Sequence, residues 1–317
     1  MTIILTYFFT TFSIILKIFN FKILIWTKEI LFMEIWPNFF IIGGGRSGTT
    51  SLYEYLKDTK GVFLPESKEL NYFCTNINPK LLLTKIIDNK QEYLNFFKNV
   101  KDEKVIGDAS PLYLWDQSSP KLIHDIIPHA KFITIIRNPV DRAYSHFLQS
   151  VTYGTESYPF SECIKKSLVS PSDYSGRIIE GGLYSEQIKR YFDIFSKNQV
   201  RVYFYEEFFK DPHYYMKDML NFLGINEELP ESIGEIHNAL VVPKSGISDK
   251  IIKSNFIKNL GKKVIPKSSS MLVKNLLLTN STKPEMELED RKFLENFYRE
   301  DIKKLETLLE RNTPWKI

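Results

Sequence analysis

A nine-residue run, Gly43-Gly44-Gly45-Arg46-Ser47-Gly48-Thr49-Thr50-Ser51, constrains this chain more than any other stretch. It joins an apolar run, Phe39–Gly43, to residues 50–58, where Leu52, Tyr55 and Leu56 recur at helical spacing. Glycines allow left-handed turns and let backbone N–H groups point inward. A helix that opens directly after such a loop adds free donors and partial positive charge, which suits a phosphate. The hydroxyls of Thr49, Thr50 and Ser51 add further hydrogen bonds. Strand, loop and helix in that order predict a parallel α/β sheet.

The loop departs from the nucleoside-triphosphate pattern G-x-x-x-x-G-K-[ST], in which Lys follows the last glycine. Thr49 stands in that place, and the cation is Arg46, inside the loop. A guanidinium there can lie alongside a breaking bond as well as beside a terminal phosphate.

A second anion element is Arg137-Asn138-Pro139-Val140-Asp141-Arg142-Ala143-Tyr144-Ser145. It leaves residues 132–136, FITII, a run apolar on both faces that predicts a buried central strand. Ligands of open α/β sheets bind beyond the carboxyl ends of strands, which places Arg137 at a ligand. Pro139 suits the first turn of a helix over 139–150, on which Arg142 and Ser145 are i,i+3 neighbours. Two arginines and a hydroxyl near a helix start suit a second phosphate.

Further strands are expected at Val105-Ile106-Gly107 and over 200–205. Amphipathic helices are expected over 183–195, over 214–223 (stopped by Gly224), and over Leu288–Leu309. Strands alternating with helices again indicate a parallel sheet with crossover helices.

The chain has 317 residues, 43% hydrophobic and 25% charged, which excludes general disorder and a polytopic membrane protein. A net charge of +4 is too small to indicate nucleic-acid binding. Cys74 and Cys163 have no zinc spacing and read as free thiols. Residues 3–16 carry no charge, and Lys17 and Lys22 then interrupt an apolar run reaching Trp26. Residues 1–32 therefore read as a membrane anchor, as an interfacial helix making its contact through residues 3–26, or as a non-native leader if Met33 is the true start. Localisation follows that choice: membrane-associated, or cytoplasmic with a start at Met33. Residues 244–283 hold nine lysines against Asp249 and read as a basic face, a lid, or a glycan or lipid contact.

The two anion elements together resemble the nucleotide-binding motifs of sulfotransferases that use PAPS (3′-phosphoadenosine 5′-phosphosulfate). The first is similar to that family's 5′-phosphosulfate loop and the second to its 3′-phosphate element. Pro65-Glu66-Ser67-Lys68-Glu69-Leu70-Asn71-Tyr72-Phe73, Gly107-Asp108-Ala109-Ser110-Pro111, Gly182-Leu183-Tyr184-Ser185-Glu186-Gln187 and Tyr205-Glu206-Glu207-Phe208 match as well. The resemblance runs from about Pro37 to the C-terminus and is nearest the heparan-sulfate-type and bacterial carbohydrate enzymes.

That resemblance implies a P-loop NTPase-like three-layer sandwich over 37–317, with a central, mainly parallel sheet flanked by helices. It implies PAPS as sulfuryl donor without a metal, and a glycan or other hydroxylated small molecule as acceptor. Arg46 matches the position where much of the family has Lys, and Glu69 matches the catalytic base. Ser47, Gly48, Thr49, Thr50 and Ser51 fall to the 5′ side, and Arg137, Arg142 and Ser145 to the 3′ side. Tyr184 is expected to line the cleft, and Lys244 or Lys262-Lys263 to close over the 3′-phosphate. Asn71 and Ala109 stand where the heparan-sulfate enzymes often have His and Lys. Asp108 is a weaker alternative base. His124, His129, His146, His213 and His237 read as structural or surface residues, with His146 facing away from the phosphate. Two other readings stand beside this one: a kinase using Mg·ATP, and a catalytically silent glycan-binding protein.

Overall fold

A strand such as Phe39–Gly43, all five residues of it buried, needs a layer packed on each face. In the computed structural model this strand, β1, sits in the middle of a five-stranded parallel sheet. The order is β2 (Val62–Phe63), β3 (Val105–Ala109), β1, β4 (Lys131–Ile136), β5 (Val200–Phe204). The structure describes residues 34–77, 86–153, 155–156, 158–169, 174–234, 242–243, 278–279 and 284–316. Val242–Pro243 and Leu278–Thr279 form a separate antiparallel pair.

Phe39 and Ile41 of β1 and Ile133 and Ile135 of β4 face one layer. It contains Leu52, Tyr55 and Leu56 of α1 (Thr49–Lys57) and Met216, Met219 and Leu220 of α10 (Pro212–Leu223). Phe40 faces the other layer, stacked on Phe132 with ring centroids 5.6 Å apart and edge-on to Phe73 and Tyr113. Phe132 continues this aromatic layer to Tyr191 and Phe195, on and just after α8 (Tyr184–Ile194). The result is the expected three-layer sandwich. Among the described residues the other α-helices are α2 (Lys90–Asn95), α3 (Leu112–Trp115), α4 (Ser119–Ile126), α5 (Pro139–Thr152), α6 (Phe160–Val169), α7 (Tyr174–Glu180), α9 (Tyr205–Phe208) and α11 (Leu288–Leu309).

From β1 the chain goes outward to β2 and back to β3, then crosses to β4 and β5 on the other side. The loops that leave β1 and β4 thus diverge from neighbouring strands, the condition for a ligand crevice at the carboxyl edge. α5 begins at Pro139 as expected, because the Asn138 side chain accepts from the N–H groups of Val140 and Asp141. α10 begins two residues before its expected start: Asp211 caps it and Pro212 occupies its first position.

Pro37–Ile317 forms one unit. Among the described residues no helix is long and apolar enough to cross a membrane. Residues 1–32, His237, Lys244, Lys262 and Lys263 lie outside the described residues. Both cysteines are buried and free. Burial pushes both thiols up, that of Cys163 to about 12.

Candidate active site

The loop after β1 is fastened to β4, since the Gly44 N–H donates to the Ile135 carbonyl at 2.5 Å. Gly48 precedes α1 at φ 83°, and a Cβ there would run into the Phe209 ring. Ser47 and Ser51 are buried in the turn. Arg46 sits at φ 70°, and its Nε donates to Ser145 Oγ at 3.3 Å. One side chain therefore links the two anion elements, 99 residues apart.

The β4–α5 corner is held from several sides. The Tyr184 hydroxyl donates to the Arg137 carbonyl at 2.9 Å. Glu206 accepts from the Asn138 N–H at 2.9 Å and from Trp315 Nε1 at 2.8 Å. The Arg137 guanidinium lies over the Tyr205 ring, 4.5 Å from its centroid. Arg142 is 2% exposed and donates to the carbonyls of Arg177 and Ile178. Tyr184 is fully buried, and burial pushes its phenol up to about 12. It supports the Arg137 backbone from inside and does not line the cleft, contrary to the sequence expectation.

A third segment comes from the chain before α2. The Glu69 N–H donates to the Ala109 carbonyl at 2.8 Å, and the Asn71 N–H to Ser110 Oγ at 3.1 Å. The Asn71 side-chain amide donates to the Glu69 carbonyl at 2.7 Å. Glu69 and Asn71 adopt φ of 61° and 54°. Among the described residues four non-glycine residues have positive φ, and three of them, Arg46, Glu69 and Asn71, meet here. Such conformations cost about 1–3 kcal/mol each and persist only where the surroundings impose them. Asn71 thus holds the backbone that presents Glu69. Lys68, beside Glu69, donates to Thr50 Oγ1 at 2.6 Å. Burial holds the Lys68 ammonium below the usual lysine range.

Asp108 has a different place. It is fully buried and accepts from Ser110 Oγ at 2.7 Å and from the hydroxyls of Tyr93 and Tyr113 at 2.9 and 2.7 Å. Burial raises its carboxyl, and three hydroxyls occupy it. It ties β3 to the core and does not line the cleft, which argues against a role as second base.

These segments enclose a cavity of ≈ 680 Å³, within the range of small-molecule sites. Arg46, Thr49, Thr50, Glu69 and Arg142 line it. Ser47, Gly48, Ser51 and Tyr184 shape the loop and corner around it, and Arg137 and Ser145 stand beside it at the β4–α5 corner, Ser145 in contact with Arg46. Sequence reasoning missed Lys68, Arg177 and His146 on the wall. Lys68 was legible beside Glu69, whereas Arg177 carries no local signal. His146 does not face away: it lines the cavity, with Nδ1 3.4 Å from an Arg142 nitrogen. Burial, reinforced by Arg142, Arg177 and Arg46, holds its imidazole well below the usual histidine range.

Burial also lowers the Arg46 guanidinium, and Arg137 and Arg142 add to that effect. Among the described residues no carboxylate lies within ion-pair distance of Arg46, Arg137 or Arg142. Mutually repelling cations at the glycine loop and the adjoining β4–α5 corner suit a polyanion. Among the described residues no group of three or more His, Cys, Asp or Glu is arranged to hold a metal ion.

Comparison with known proteins agrees with this geometry. The chain is 27% identical over 302 residues to the mouse (Mus musculus) bifunctional heparan sulfate N-deacetylase/N-sulfotransferase 4, covering 90% of this chain and 31% of the relative. It is 26% identical over 298 residues to the human (Homo sapiens) bifunctional heparan sulfate N-deacetylase/N-sulfotransferase 1, with the same coverage. The chain thus spans about a third of the length of these curated relatives. The crystal structure of a sulfotransferase from Alicyclobacillus acidocaldarius superposes with a TM-score of 0.67 at 27% identity, covering 88% of this chain and 98% of that one. The sulfotransferase domain family matches residues 37–306, which include the glycine loop, the Glu69 segment and the β4–α5 corner, and the chain belongs to that family.

Proposed function

We propose that this sulfotransferase moves a sulfuryl group from PAPS to a hydroxyl or amine of a carbohydrate acceptor by in-line displacement. The observation that carries this reading is the arginine cluster: Arg46, Arg137 and Arg142 converge without carboxylate partners among the described residues, and Arg46 joins the 5′ loop to Ser145. Two anion elements tied by one guanidinium fit a nucleotide with phosphate at both its 3′ and 5′ ends. The N-sulfotransferase relatives, named for heparan sulfate, support a carbohydrate acceptor.

PAPS supplies, when bound, a sulfur already bonded to a good leaving group. The chain's own residues then have separable tasks. The loop N–H groups, with Thr49 and Thr50, hold the 5′-phosphosulfate, while Ser47, Gly48 and Ser51 keep the turn in shape. Arg137 and Ser145 hold the 3′-phosphate, and buried Arg142 braces that side. Tyr184 fixes the Arg137 backbone. Glu69 takes the proton from the acceptor atom as that atom bonds to sulfur. Arg46 stabilises the negative charge that grows on the 5′-phosphate as its bond to sulfur breaks. Positioning and charge stabilisation account for this catalysis, with no covalent enzyme intermediate.

Calorimetric titration with PAP, the desulfated product, tests the reading against Mg·ATP. Metal-independent PAP binding with weak ATP binding is expected. Arg46→Ala should lower turnover by about 100–1,000-fold while circular dichroism stays native. Preferred binding of Mg·ATP would move the chain to the kinase reading, and binding of neither by folded protein would favour the silent glycan binder.

A further inference from the structure

A second cavity, of ≈ 660 Å³, adjoins the first. Trp115 and Gln187 line both, and the adjacent residues Glu180 and Gly181 line one each. The two cavities carry opposite charge. Among the described residues Arg46, Lys68, Arg142 and Arg177 face the first, against Glu69. Among the described residues Asp116, Glu180, Glu186, Glu300 and Asp301 face the second, against Arg190 and Lys304. Asp116 and Asp301 are held by Ser118, Ser119, Tyr184 and Ser185, and Glu300 pairs with Lys303, so Glu180 and Glu186 carry most of the field open to a ligand.

Arg190 is committed to the fold, donating to the carbonyls of Leu114 at 3.0 Å and Trp115 at 3.2 Å. Those bonds fix the backbone of Trp115, whose half-buried indole stands at the junction of the cavities. Phe297 offers a second ring in the same wall. Aromatic faces suit a sugar's apolar C–H faces, although the Arg177 guanidinium lies over the Trp115 ring at 5.8 Å. The Gln187 amide, whose nitrogen donates to the Glu180 carbonyl at 3.0 Å, offers its oxygen to a hydroxyl edge.

We propose that the second cavity is the acceptor site and that it selects an amine-bearing sugar free of uronic acids. The proposal deepens the sulfotransferase reading and rests on it. The reactive group passes Trp115 and Gln187 into the first cavity, where Glu69 stands. The carboxylates attract an amino sugar and repel a polyuronate, because charges at this range are only partly screened. The positive charge beyond the junction is engaged by the nucleotide.

The test uses two acceptors of equal length that both carry free amines. One is fully de-N-acetylated chitotetraose. The other is an N-deacetylated heparosan tetrasaccharide, which adds uronates. With PAPS saturating, kcat/KM is measured for the native chain and for Glu186→Lys/Glu300→Lys, which changes two exposed residues outside the first cavity. The native protein is expected to favour chitotetraose by about tenfold, the scale of one charge contact. The reversed variant should erase or invert that preference with KM for PAPS unchanged. Trp115→Ala should raise KM for both sugars.

Equal or better use of the uronate chain overturns the proposal. So does a preference that charge reversal leaves unmoved, or transfer to neither sugar by protein that binds PAP. Failure of the native chain to bind PAP overturns the sulfotransferase reading itself, and the acceptor proposal with it.

Discussion

Gly48 meets two demands that other residues cannot meet together: a left-handed φ of 83° and contact distance to the Phe209 ring. Gly48→Ala should therefore distort the loop as well as strain it. A loss of more than 1 kcal/mol in denaturant unfolding is expected, with PAP binding reduced beyond detection. Unchanged PAP affinity would show that the loop tolerates the shift. His146 makes a different demand. Its imidazole is held well below the usual histidine range, first by burial and then by Arg142, Arg177 and Arg46. Between the folded and unfolded pKa values the unfolded chain binds the extra proton, so stability rises with pH in that window. Stability should be level above the unfolded value of about 6.5 and fall as pH drops below it, by at most about 1.4 kcal/mol per unit. His146→Gln should flatten that part of the curve. A wild-type curve already flat from pH 7 to 5 would show an imidazole that titrates normally.

Asp301 on α11 does for an element what Gly48 does for a loop. It accepts from the Tyr184 N–H at 2.8 Å and from both the N–H and hydroxyl of Ser185, and so caps α8 from another part of the chain. α8 in turn carries the Tyr184 hydroxyl to the Arg137 carbonyl. Asp301→Ala should cost about 0.5–2 kcal/mol, as for other lost helix caps. PAP should also bind more weakly, although Asp301 touches neither anion element. Loss of stability with PAP affinity intact would separate the cap from the corner. This long-range support marks the limit of what local pattern reveals. β1 and β4 were legible because a strand buried on both faces is continuously apolar. α11 was legible because 22 residues give its period room to repeat. The four- to six-residue helices α2, α3 and α9 are too short to show a period. Glycines, arginines and hydroxyls in sequence marked the site's two anion elements. Trp115, Arg177 and His146 reach it only through folding. Tyr184 was placed on the wrong side because a phenol can seat its hydroxyl inside the core as readily as in a cleft.

Across the whole molecule the sheet gathers cations at one carboxyl edge, and folding works against their mutual repulsion. A ligand that binds only the folded chain and neutralises them stabilises every element that converges there. At PAP concentrations 100 times its dissociation constant, mass action adds about 2.7 kcal/mol. For a chain of this size that amounts to a rise in melting temperature of roughly 4 °C. The rise should shrink as sodium chloride increases, since part of the binding energy is screened attraction between PAP and arginines. Arg137→Ala should reduce it further at every salt concentration, and Arg46→Ala should reduce it on both the 3′ and 5′ sides, because that side chain bridges to Ser145. Adenosine 5′-phosphate, which lacks the 3′ charge, should stabilise native protein about as PAP stabilises Arg137→Ala. Equal melting shifts for PAP and adenosine 5′-phosphate on the native chain would mean that the β4–α5 corner holds no phosphate, and the two-anion account of the site would then be wrong.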